Sequence, residues 1–156
     1  MSSLADSLGD EEHARFALDK LVIGTVIRTY VLDTHPPKEK RLIIVGESYD
    51  HISVVTVYIN SKLNINVFPT KELQDLNPEF IQEGRSYLDH NSHVDCSSLH
   101  VLKKAFLAGI IGVSPDRNLG NVSEQDMKQI RSLIKSARTI KPSLKKRTDY
   151  SYKRNC

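Results

Sequence analysis

Residues 41–61 read RLIIVGESYDHISVVTVYINS. Two apolar runs rich in β-branched residues flank a short polar turn at Tyr49-Asp50-His51. Branching at Cβ restricts χ1 and favours a pleated surface, so RLIIVGES and ISVVTVYINS both read as strands. The first is nearly continuous in apolar residues, which fits burial on both faces. A connection this short makes the two strands antiparallel neighbours. Upstream, LVIGTVIRTYVLD, starting at Leu21, reads as a third strand. Gly24 inside it marks a bulge or a close backbone approach. Thr34-His35-Pro36-Pro37-Lys38-Glu39-Lys40 reads as a polar loop broken by two prolines. Three such strands form a meander, so the expected class is mainly β with helices (α+β), built on a small barrel or sandwich.

Downstream the pattern is mixed. KLNINVF, residues 62–68, is strand-like, and Lys71 to Leu76 reads as a helical turn that Asn77-Pro78 breaks. SYLDHNSHVDCSSLHVL, residues 86–102, alternates through Tyr87, Val94, Cys96 and Leu99, as a strand does. LAGIIGVSPDRNLGN, residues 107–121, holds three glycines and Pro115 and reads as loop or turn. Ser123 is a good N-cap for an amphipathic helix, with Glu124 and Asp126 where the helix dipole favours negative charge. Met127, Ile130, Ile134 and Ala137 share one face of it, and Pro142 is its expected stop. Residues 1–12 read as an arm. Residues 11–20 read as a short helix, with Asp10 as N-cap and Phe16, Leu18 and Leu21 as anchors. The expected organisation is therefore an arm or short helix over 1–20, a barrel domain over 21–140 and a basic tail over 141–156.

The chain has 156 residues, 39% apolar and 26% charged, which suits one globular domain. No apolar run approaches the roughly 18 residues that a spanning helix needs, so no membrane partner is expected. The first residues lack the apolar core of a secretory signal, and two cysteines make no disulfide framework. A cytoplasmic location is the expectation. Charge is unevenly distributed. Residues 135–156 hold eight basic residues against one acid, net +7, while the other 134 residues hold 14 basic and 18 acidic residues, net −4. The basic end suits a polyanionic or acidic partner, or serves solubility alone.

The phosphate loop, the dinucleotide fingerprint, the nucleophile elbow and the H-E-x-x-H helix are all absent from the sequence. Half of the six histidines lie within residues 90–100, where His90, His93, Cys96 and His100 have the chemistry of zinc ligands. Strand alternation would send His93 and Cys96 to opposite faces, so no metal and no cofactor is expected. Cys96 reads either as a nucleophile with a histidine base or as a small buried core residue. Lys38, Lys40 and Arg41 enter a buried strand beside Arg28, and Ser61 and Lys62 close the third strand. On one rim of a barrel such a set holds a phosphodiester and stabilises developing charge. The alternative is a ring of solvated loop charges. His35, in the loop, is the candidate for moving a proton near neutral pH.

The order of short motifs resembles the MazF/PemK-like toxins of toxin–antitoxin systems. The matching stretches are GTVIR at 24–28, KRLIIV at 40–45, VVTVYINSK at 54–62, SHVDCSSL at 92–99 and GNVSEQDMKQIRSLI at 120–134. The resemblance covers residues 21–138. It implies an SH3-like β-barrel with a C-terminal helix, a homodimer, a protein antitoxin and metal-independent cleavage of single-stranded RNA. It places Arg41 and Ser61 at the RNA site. In this sequence Leu42 follows Arg41 where the family has Pro, and Asn60 stands where it has Thr. Cleavage by the RNA's own 2′-OH needs a base, an acid and stabilisation of the phosphorane. Arg41 would stabilise charge, His35 would move a proton and Ser61 would orient the phosphate. Arg28, Lys38, Lys40, Lys62, Lys145, Lys146 and Arg147 would hold RNA. The second expectation is a non-catalytic RNA- or protein-binding module on the same barrel, drawing affinity from phosphate contacts.

Overall fold

The computed structural model describes residues 17–34 and 36–148. Among these residues seven strands form one antiparallel sheet: β1 (Thr25–Val31), β2 (Lys38–Glu47), β3 (Ser53–Asn60), β4 (Glu79–Phe80), β5 (Ser92–Val94), β6 (His100–Lys103) and β7 (Asn118–Asn121). Their order is β4-β5-β3-β2-β1-β7, and β6 also pairs with β3. The start of β3, Ser53–Thr56, pairs with β6, while Ile59 and Asn60 pair with β5. One edge of β3 thus serves two short strands. The β2–β3 register slips between Ile44 and Gly46, and β1–β7 slips after Val26. Such irregularities bend strands. The result is a mixed α+β fold whose curled sheet forms half a barrel.

Apolar side chains cover both faces of the sheet. Val26, Ile43, Val45, Val55 and Val57 face one core, which α3 (Glu124–Ser136) closes with Met127, Ile130 and Ile134. Ile27, Leu42, Ile44 and Val54 face the other, closed by Leu107, Ala108 and Ile111 of α2 (Lys104–Val113) and by Ala17 and Leu21. Burial on both faces explains why β2 reads as a continuous apolar run rather than an alternating one. Ala17–Asp19 are helical; Asp10 and Phe16 lie outside the described residues, and Leu18 is exposed.

Several expectations are corrected. β1 begins at Thr25, not Leu21, because Gly24 turns the chain at φ +98°. Its N–H donates to Ile44 O and its carbonyl accepts from Val122 N, so this is a close backbone approach between β2 and the end of β7. Lys38–Lys40 belong to β2, paired with Val31–Thr29, since backbone pairing is indifferent to polar side chains. Residues 62–68 are no strand: Asn64 Oδ1 accepts from Asn66 N, and Asn64 O accepts from Val67 N and Phe68 N, closing a turn. The 86–102 stretch is broken after β5, where Asp95 Oδ1 accepts from Ser97 N and Oγ. Residues 107–113, the first half of the stretch expected as loop, are helical, because Leu107, Ala108 and Ile111 form one buried face and Gly109 sits in open space. α3 ends at Ser136, six residues before Pro142, and Pro142 instead starts the short α4 (Pro142–Lys145).

The short helix α1 (Lys71–Asp75) is present, with Thr70 as its N-cap. Residues 141–148 pack on the body: Leu144 meets the α3-side core, Thr148 is buried, and the Arg147 backbone lies against Gly46. Among the described residues no helix is long and apolar enough to cross a membrane.

Candidate functional site

Alternation along β2 divides the basic cluster. Arg41 shares a face with Ile43 and Val45, while Lys40 shares the other with Leu42 and Ile44. The expected single rim is therefore split between the two faces of the sheet.

On the first face, Arg41 stands directly opposite Arg28 of β1. Two like charges so placed repel unless an anion lies near. Arg41 Nη2 donates to Asp89 Oδ2 at 2.5 Å. Arg28 Nε lies 3.4 Å from Glu39 Oε1, which accepts from Arg117 Nη1 at 2.6 Å. Arg117 Nη1 also donates to Arg28 O at 3.2 Å. The Nε atoms of both Arg28 and Arg41 are buried and make no hydrogen bond. Ser61 and Lys62 lie exposed in the bend that follows β3. His35 lies outside the described residues.

The second face holds a cluster that sequence spacing did not reveal. Tyr58 Oη donates to both carboxylate oxygens of Asp33 at 3.0 Å, and His100 Nδ1 is 3.0 Å from Asp33 Oδ2. The Tyr58 and His100 rings stack at 3.7 Å and 4°. Burial first, and the Asp33 hydrogen bond second, push the Tyr58 phenol well above its ordinary range. Lys40 Nζ hydrogen-bonds Asn60 Oδ1. Its pKa is lowered by burial and then by Lys38, against the opposing pull of Asp95 and Asp33. An open pocket of about 610 Å³ lies beside Asp33, Tyr58 and His100. Asp33, Tyr58 and His100 are separated by 25 to 67 positions, so no local pattern announces them.

The remaining candidates disperse. Lys38 is exposed at the start of β2. Lys145 Nζ donates to Lys135 O near the end of α3, and the Arg147 guanidinium lies 5.6 Å from the Tyr49 ring centroid. The Arg147 backbone lies against Gly46, five residues along β2 from Arg41, or about 17 Å at strand rise. Cys96 is buried, and burial pushes its thiol up, so it fits a core residue rather than an activated nucleophile. His90 contacts Ser92, His93 contacts Asn77 O and His100 contacts Asp33, so the four metal-ligand candidates have separate partners or surroundings. Among the described residues no three His, Cys, Asp or Glu side chains are grouped to hold a metal ion. No protein-family model matches this chain, and no curated protein shows significant similarity to it.

Proposed function

We propose that this protein is a metal-independent endoribonuclease of the MazF/PemK-like toxin type, its half-barrel being SH3-like and its substrate single-stranded RNA. The observation that supports this is the Arg28–Arg41 pair: two guanidinium groups opposite each other on β1 and β2, each only partly exposed and ion-paired to a carboxylate, Glu39 and Asp89. A phosphodiester supplies an anion with several acceptor oxygens and would take the place of the exposed Asp89 carboxylate on Arg41. Charge grows on that phosphate as the RNA's 2′-OH attacks, so Arg41 binds the transition state more tightly than the substrate. Ser61 would orient the phosphate, and His35 would exchange the proton. A homodimer and a protein antitoxin belong to the same proposal.

A non-catalytic RNA-binding module is the second reading, and Asp89 favours it by occupying part of the Arg41 guanidinium. The test compares wild type with Arg41→Ala for cleavage of single-stranded RNA in chelator and for growth inhibition on expression. The toxin reading requires product from wild type and none from the variant, with unchanged circular dichroism. Salt-sensitive RNA binding without product transfers the argument to the module. Wild type that neither binds nor cuts RNA ends both readings.

A further inference from the structure

The Asp33 carboxylate is only partly used. An ionised carboxylate accepts about four hydrogen bonds. Tyr58 Oη and His100 Nδ1 approach it at 3.0 Å and hold its plane fixed. Acceptor capacity remains, and half of the side chain is exposed. The adjoining pocket, about 610 Å³, has the size of a small-ligand site. Tyr30 and Phe106 line it and are both about half exposed, so flat apolar faces meet solvent here. Lys103 also lines it.

A flat ligand with two adjacent N–H donors uses all of this. Among the nucleobases only guanine presents N1–H beside an exocyclic N2–H₂. Adenine and cytosine set an acceptor next to their amino group, and uracil flanks its one N–H with acceptors. We propose that this pocket binds a guanine base. Asp33 takes its N1–H and N2–H, Tyr30 or Phe106 stacks on its face, and Lys103 is the cation for an attached phosphate. Unpaired bases are commonly read this way, by aromatic stacking and by hydrogen bonds to the Watson–Crick edge. The site lies on the face of β2 opposite to Arg41. It goes beyond the cleavage proposal and stands or falls separately.

The test is equilibrium titration of the full chain with GMP, AMP, CMP and UMP, followed by amide NMR. GMP should shift residues around Asp33 and His100 saturably and bind at least about tenfold tighter than the other three. Asp33→Asn should cost about tenfold or more in GMP affinity, the worth of one charge-assisted hydrogen bond. Phe106→Ala, at an exposed position, checks the stacking without threatening the fold. A short single-stranded RNA containing one G distinguishes the source of the base: tighter binding than GMP assigns it to a strand, and equal binding to a free nucleotide. Either result supports the pocket. Equal affinity for all four nucleotides, no saturable shift at millimolar GMP, or GMP binding untouched in both variants would overturn it, whatever the RNA cleavage assay shows.

Discussion

Lys40 and Arg41 are chain neighbours with the same charge and opposite environments. The Lys40 ammonium is lowered chiefly by burial and then by Lys38. Replacing Lys38 with Gln should raise the Lys40 pKa, and Asp33→Asn, which removes an opposing attraction, should lower it further. Side-chain NMR of the Lys40 ammonium across an alkaline titration reads both. The sign matters for stability. Between the lowered folded value and the ordinary lysine value the unfolded chain binds more protons, so this group's contribution improves as pH rises through that window. Arg85 is a contrasting residue. Its Nε and Nη2 donate at 2.9 Å to the two oxygens of the mostly buried Asp126, and its guanidinium lies 4.6 Å from the Phe80 ring centroid. Arg85→Lys keeps the charge but loses the fork, and urea denaturation should show a loss of about 1–2 kcal/mol.

Two elements depend on single small residues. α3 is capped by Ser123, whose side chain accepts from Asp126 N. Ser123→Ala should cost about 1 kcal/mol in the same denaturation experiment. Gly46, in β2, is needed for space rather than for its backbone angles. A Cβ there would collide with the backbone carbonyl of Arg147, which the Lys146–Thr148 turn presses against the strand. Gly46→Ala should therefore cost about 1–3 kcal/mol and release residues 142–148. Faster tryptic cleavage at Lys145–Arg147, with slow cleavage elsewhere, is the expected signature. If cleavage there stays as slow as in wild type, the segment is not held through Gly46.

At the scale of the molecule, two cores share one sheet, so a change in either is felt through β2. Ile130 is fully buried, and Ile130→Ala should cost about 2–5 kcal/mol by cavity formation. The Tyr87 phenol, buried beside Asp126, is pushed up to about 12. Between the ordinary tyrosine value of about 10 and that value, the unfolded chain has lost a proton that the folded chain keeps, so stability falls as pH rises. Tyr87→Phe should flatten that alkaline slope, as read from urea midpoints across the window. β2, β3 and α3 were legible in the amino-acid order, because a β-branched run and a capped 3.6-residue period are local signals. α2 was not, since Gly109 and Gly112 mimic a loop until a sheet offers Leu107, Ala108 and Ile111 a surface. Sequence alone determined the strand-rich α+β class, the helix at Ser123 and the basic character of the chain's end. Only tertiary structure decided that Arg41 and Lys40 serve different faces, that residues 141–148 pack on Gly46, and that Asp33, Tyr58 and His100 meet. The reason is physical: alternation and pairing act between strands, so which distant side chains converge depends on curl and register, which no single segment encodes.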